Sequence, residues 1–306
     1  MFDLLQGDCR KILASMPEQS INTCVTSPPY YGLRDYGVGG QIGLEQSPKE
    51  FVAAMVETFR EVHRVLRDDG TLWLNLGDSY YNYRPGKGQA LVQQTIANTK
   101  QDLPDSCPRR GNKLEGFKEK DLLGIPWRVA IALQDDGWYL RQDIIWHKPN
   151  PMPEAVKDRC TKAHEYIFLL TKNSKYYFDH SAMQEPAKYA GDNRGARKDS
   201  RRGSTMNSVS GKTGEFRNKR SVWSVNTKAY KGAHFATFPK ELITPCVLAG
   251  SPVGGTVLDP FAGSGTTLEV AIENGRKGVG IELNPDYINL AMKRLWTGKL
   301  EIEYPS

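Results

Sequence analysis

The chain has 306 residues, 39% hydrophobic and 25% charged, with a formal net charge of +6, enough for one large domain or two modest ones around a buried core. It carries no apolar run long enough for a membrane helix and no signal-type start, so no membrane partner is expected. Its five cysteines are scattered without a CxxC pair, which supports neither a metal centre nor a disulfide framework and fits a reducing, cytoplasmic setting.

Residues 2–6 read as a short strand that ends at Gly7-Asp8. Asp8 or Cys9 opens a helix with Ile12, Leu13 and Met16 on one face, and Pro17 stops it. Residues 21–26 read as a buried strand that runs into Ser27-Pro28-Pro29-Tyr30-Tyr31. Consecutive prolines donate no backbone hydrogen bond and hold the chain extended, so this turn is stiff. It is either a plain structural turn or a rigid clamp for a flat polar group. Gly37, Gly39, Gly40 and Gly43 mark a loop. Ser47-Pro48 opens a helix that runs to Leu66, and residues 71–76 form the next strand. Residues 82–120 are polar and rich in Gly and Pro, and are expected to form a mobile loop. A helix is expected over 121–133 and strands over 138–146 and 165–171, with 176–178 a candidate third.

Between Ser181 and Val222 there are ten basic residues and four acidic ones, so the excess charge of the chain sits in this stretch. It has too few apolar residues for a core of its own and reads as an excursion from the main body. A neutral body with one basic insert points to a polyanion such as nucleic acid. Beyond it, residues 239–248 suit a helix, 256–259 a strand, 266–274 a helix, 277–282 a strand and 286–296 a final helix. The alternation predicts an α/β fold with a mainly parallel sheet covered on both faces.

The turn Asp259-Pro260-Phe261-Ala262-Gly263-Ser264-Gly265 lies between a strand and a helix, where glycines let backbone approach a ligand. Glu282 ends the following strand, where a βαβ nucleotide fold places the acceptor for ribose hydroxyls. The complete GxGxxG pattern and the P-loop pattern are both missing, which favours a cofactor without a pyrophosphate.

Taken together, Gly7-Asp8, Thr26-Ser27-Pro28-Pro29-Tyr30, Trp146-His147-Lys148-Pro149, His164-Glu165-Tyr166, the segment 235–239 and the turn 259–267 resemble the S-adenosylmethionine-dependent DNA amino-methyltransferases. The order of the motifs, catalytic turn before cofactor turn with the insert between, resembles the circularly permuted β group. The resemblance implies a Rossmann-like methyltransferase fold. It divides the chain into a catalytic part (1–180), a DNA target-recognition insert (181–233) and a cofactor-binding part (234–306). It implies that Asp259, Phe261, Gly263 and Gly265 line the methionine end of S-adenosylmethionine, Glu282 holds the ribose and Asp8 lies near the adenine. Phe235, Thr237 and Phe238 would close over the methionine part. Double-stranded DNA is the implied partner, with Arg194, Arg197, Arg201, Arg202, Arg217 and Arg220 as contacts. A cognate restriction endonuclease and a homodimer are left open.

An exocyclic amino group is a poor nucleophile because its lone pair is delocalised into the ring. Ser27 Oγ and the Pro28 carbonyl are expected to accept its hydrogens, Pro29 to stiffen the turn, and Tyr30 to stack on a flipped base. Serine in place of the aspartate of many adenine-N6 enzymes favours N4 of cytosine over N6 of adenine. An RNA or protein methyltransferase and a non-catalytic DNA-binding subunit are the rival readings. Cys246 follows a proline, as in covalent cytosine-C5 chemistry, but lies on a helix before the cofactor turn and reads as a core residue. His147 likewise reads as part of a packed turn.

Overall fold

The computed structural model describes residues 1–33, 37–81, 114–187, 215–227 and 238–300. Strand β1 (Phe2–Gln6) leads into helix α1 (Cys9–Ser15), whose start Asp8 caps by accepting the Arg10 backbone N–H at 3.0 Å. Strand β2 (Ile21–Thr26) precedes the Pro-Pro turn. Helix α2 (Pro48–Val65) is capped by Ser47, which accepts from Glu50 N at 3.2 Å, and it buries Phe51, Met55, Phe59 and Val62 along one face.

Strand β3 (Leu66–Leu76) starts directly at the end of α2, five residues earlier than the sequence suggests. Ile21 pairs with Leu66 but Thr23 pairs with Thr71, so residues 67–70 bulge out of the ladder. Their polar sequence hid the strand. Helix α3 (Ile125–Asp135) starts four residues later than expected. Its N-terminus is satisfied from a distance, because the Asp78 carboxylate accepts from both Gly124 N and Ile125 N at 3.1 Å. No local cap was there to be read.

Strands β4 (Tyr139–His147) and β5 (His164–Thr171) pair antiparallel. Residues 176–178 are not a strand. Phe178 stacks on Trp73 with ring centroids 6.4 Å apart, and Tyr176 takes Arg141 over its ring, so these aromatic residues pack without joining a ladder. A short 3₁₀ turn (Ser181–Met183) leads to β6 (Gln184–Pro186), which pairs with β7 (Phe216–Asn218) in a separate two-stranded ribbon. Strand β8 (Val222–Ser224) then joins the edge of the main sheet beside β4. Met183 and Trp223 are buried with α4 residues, so the insert is anchored in the core at both described ends rather than leaving it altogether. Helix α4 (Lys240–Gly250), β9 (Thr256–Asp259), α5 (Thr266–Glu273), β10 (Lys277–Glu282) and α6 (Pro285–Leu300) complete the fold.

The main sheet has the order β1-β10-β9-β2-β3-β5-β4-β8. Among these strands β5 alone runs antiparallel to its neighbours. Both faces are covered. Leu72, Leu74 and Leu76 of β3 face α2 and α3, while Trp73 faces α4. From β9 the chain crosses through α5 to β10 on one side, and from β2 it crosses through α2 to β3 on the other. The carboxyl ends of β9 and β2 therefore form a topological switch point, where an open α/β sheet leaves a crevice. Among the described residues no helix is long and apolar enough to cross a membrane.

Candidate active site

The crevice at the switch point is lined by residues from both halves of the chain. Ser27 and Pro29 come from the turn after β2, and Asp259, Phe261 and Gly263 from the turn after β9. Asp8, Phe238 and Glu282, also predicted, line it as well. Residues separated by more than 230 positions thus meet in one cleft. Pro28 is buried beside it, and Gly265 sits at the start of α5, where a Cβ would lie 3.1 Å from Ala291 Cβ of α6. Its left-handed backbone (φ +78°), together with the close approach of α6 rather than the cleft wall, accounts for that glycine. Phe235 and Thr237 lie outside the described residues, as do Arg194, Arg197, Arg201, Arg202 and the stretch 82–113.

Asp259 is buried, yet its carboxylate is fully used. Oδ1 accepts from Thr26 Oγ1 at 2.6 Å and Phe261 N at 3.1 Å, and Oδ2 accepts from Thr267 Oγ1 at 2.7 Å. Burial pushes its pKa up to about 6, and the donors offset part of that rise. The arrangement fastens the end of β2 to the end of β9 and so fixes the catalytic turn relative to the cofactor turn. Glu282 is held similarly. Its Oε2 accepts from Gly263 N at 2.9 Å and its Oε1 from Asn284 N at 2.7 Å, while burial raises its pKa. Asp8 both caps α1 and faces the cleft. The Arg10 guanidinium, 2.7 Å from its Oδ2, holds its carboxyl below the usual range.

Ser27 differs from these acids. Its hydroxyl makes no hydrogen bond to the protein among the described residues and faces the cleft. The neighbouring hydroxyl, Thr26, is already committed to Asp259. Tyr30 is not part of the cleft lining. Its Oη donates to Glu165 Oε2 at 2.7 Å, and its ring lies against Gly77.

Sequence reasoning missed one wall. Val38, Gly40, Gln41 and Ile42 close the cleft beside the Pro-Pro turn. Gly32 N donates to Gly43 O at 2.7 Å, and a Cβ on Gly43, which has φ +107°, would lie 3.2 Å from Pro29 Cβ. The run of glycines was visible, but nothing local said where the loop folds. Asn284 and Tyr287 from the start of α6 were also missed.

Two competing chemistries find no support. Cys246 is buried in α4 with its thiol directed at Leu242 O, and burial raises its pKa far above normal. His147 pairs with Ser224 Oγ at 3.0 Å, joining β4 to β8. Arg217 and Arg220 both pair with Glu185, at 2.8 and 3.3 Å, so these two predicted DNA contacts are engaged within the protein.

Residues 21–293 match the sequence profile of a DNA methylase family whose members are N6 and N4 methyltransferases. The chain belongs to that family. Among curated relatives, the type II methyltransferase M.Cfr9I of Citrobacter freundii is 50% identical over 292 residues, covering 95% of this chain and 87% of the relative. M.SmaI of Serratia marcescens is 46% identical over 292 residues, covering 95% and 90%. Among solved structures, a DNA modification methylase of Thermus thermophilus in complex with S-adenosyl-L-methionine, named as putative, aligns at 26% identity with a TM-score of 0.61 over 97% of this chain and 94% of that one. The PvuII cytosine-N4-specific DNA methyltransferase shares the fold at 18% identity and a TM-score of 0.63, covering 98% and 92%. The Rossmann-like methyltransferase architecture is thus that of the family.

Proposed function

We propose that this methylase moves a methyl group from S-adenosylmethionine to N4 of cytosine in double-stranded DNA. The observation that carries the reading is the Ser27 hydroxyl, which has no hydrogen-bond partner among the described residues and is held on a Pro-Pro turn in the same cleft as Asp259, Phe261, Gly263 and Glu282. The cleft suits the cofactor. Glu282 lies where ribose hydroxyls need an acceptor, Phe238 and Phe261 offer apolar surface, and no P-loop lysine or pyrophosphate cradle is present in the sequence. When bound, S-adenosylmethionine supplies an electrophilic methyl group. Ser27 Oγ and the Pro28 carbonyl accept the hydrogens of the target amino group and draw its nitrogen toward tetrahedral geometry. The stiff backbone sets both acceptors in advance, so little reorganisation is needed. The methylated nitrogen is cationic and acidic and releases its proton to solvent, so no strong base is needed beforehand. Serine is a weaker acceptor than the aspartate of adenine enzymes, which supports cytosine as the target.

The test is transfer of labelled methyl groups to DNA, RNA and protein, followed by digestion of the DNA to nucleosides and mass identification. N4-methylcytosine is expected. N6-methyladenine as the sole product would overturn the choice of base, and label confined to RNA or protein would overturn DNA as the substrate.

The division into a catalytic part (1–180), a target-recognition insert (181–233) and a cofactor-binding part (234–306) belongs to the same reading. So does a restriction endonuclease sharing the target site, as the type II relatives suggest. Arg194, Arg197, Arg201 and Arg202 are four of the ten basic residues of the insert and are assigned to phosphates. Replacing all four with glutamine should weaken duplex binding and flatten its salt dependence by roughly one logarithmic unit per lost contact. Cofactor affinity should not change. An unaltered salt slope would refute the assignment.

A further inference from the structure

A polar cluster of the methylase lies outside the cleft lining. It lies behind Tyr30, on the far side of the catalytic turn, and is built from three strands. Glu165 is near the start of β5, opposite Trp146 of β4. Asn75 is near the end of β3, and Lys148 follows β4. None of these three side chains lines the cleft. Each nevertheless bears on the Tyr30 hydroxyl or on the group that holds it.

Tyr30 Oη donates to Glu165 Oε2 at 2.7 Å, with Asn75 Oδ1 a second, longer acceptor at 3.4 Å. Glu165 Oε1 receives the Lys148 ammonium. Lys148 Nζ also lies 4.3 Å from the centre of the Trp146 ring, which fixes the far end of its chain. Asn75 is buried, donates to the Tyr166 carbonyl at 3.1 Å and approaches Glu165 Oε2 at 3.4 Å. The Glu165 and Lys148 side chains are only 13% and 18% exposed. The carboxylate is therefore clamped at both oxygens before it receives the phenol.

We propose that Glu165 is a positioning residue that locks the plane of the Tyr30 ring through its hydroxyl, with Lys148 holding Glu165. This rests on the reading of Tyr30 as the ring that stacks on the flipped base. Stacking depends on ring plane as well as ring position. A ring tied only through its Cβ must lose rotational freedom when the base arrives. A ring already tied at its far end by a charge-assisted hydrogen bond has lost it on folding. Phenylalanine would present the same stacking face without the tie. The tyrosine hydroxyl thus has a use that stacking alone does not require.

The experiment compares the intact protein with Tyr30→Ala, Tyr30→Phe, Glu165→Gln and the Tyr30→Phe/Glu165→Gln double variant. Methyl transfer to unmethylated high-molecular-weight duplex DNA is followed together with cofactor affinity and melting temperature. Tyr30→Phe and Glu165→Gln are each expected to lower kcat about tenfold with cofactor affinity within about twofold, because they loosen one preorganised contact. The double variant should be no more than about twofold worse than the weaker single variant, since both remove one tie. A merely structural ion pair would instead lower melting temperature and leave kcat at saturation, so the kcat effect and the non-additivity decide. Wild-type kcat in Glu165→Gln, or effects that multiply to about a hundredfold, would overturn the lock. If Glu165→Gln does not fold, Tyr30→Phe decides alone, with wild-type kcat overturning the proposal and a loss of about tenfold upholding it. Undiminished transfer by Tyr30→Ala would overturn the stacking reading beneath it. Loss of transfer in Tyr30→Ala with wild-type kcat in both conservative variants would overturn only the lock.

Discussion

Ser27→Ala is expected to lower the rate of methyl transfer by about 10²- to 10³-fold, with cofactor affinity and melting temperature nearly unchanged. The size follows from the cost of removing one preorganised hydrogen-bond partner of a reacting group, about 3–4 kcal/mol. The selectivity follows from the structure. Ser27 Oγ has no partner within the protein among the described residues, so alanine strands no buried polar group. The backbone of the turn is set by Pro28 and Pro29 and needs no help from the hydroxyl. Thr26 cannot take over, because its Oγ1 is 2.6 Å from Asp259 Oδ1 in the tie between β2 and β9. Single-turnover transfer measured beside calorimetric cofactor binding checks both halves. Undiminished transfer would remove Ser27 from the mechanism. A parallel loss of cofactor affinity would move it to the cofactor site.

Much of this site was legible because it is made of strand ends. The strands 21–26, 256–259 and 277–282 have the predicted bounds, since each is a short apolar run closed by a turn residue. Ser27, Asp259 and Glu282 follow from them, because parallel strands deliver their carboxyl ends to one edge. The failures share a different cause. The start of α3 depends on the Asp78 carboxylate, more than forty residues upstream. The start of β3 depends on a bulge, and β8 is three residues long with Trp223 as its only buried member. The tie between Tyr30 and Glu165 joins residues 135 positions apart and leaves no periodic trace. Local patterns report what a segment buries, whereas these features depend on what another segment supplies.

Gly77→Ala tests the catalytic ring from its other side. Gly77 follows β3, and a Cβ there would lie 2.4 Å from Tyr30 Cε2, 3.0 Å from Cδ2 and 3.1 Å from Cζ. Ordinary carbon contacts begin near about 3.5 Å, so the ring has to move by roughly 1 Å. It cannot do so freely, because its hydroxyl is held by Glu165. Leaving its rotamer costs about 0.5–1.5 kcal/mol, and losing a hydrogen bond to a charged group costs about 1.5–3 kcal/mol. A displacement of this size at a reacting centre is expected to lower transfer by about a hundredfold. The cleft residues are not touched, so cofactor affinity should remain. Gly39→Ala is the matched control, since its added methyl group would meet nothing within 4 Å. The loss of melting temperature caused by Gly77→Ala should disappear in a Tyr30→Ala background, where the methyl group has room. If that loss persists without the ring, the methyl group clashes with something other than Tyr30. If Gly77→Ala transfers methyl groups at the normal rate, the position of the ring does not limit catalysis.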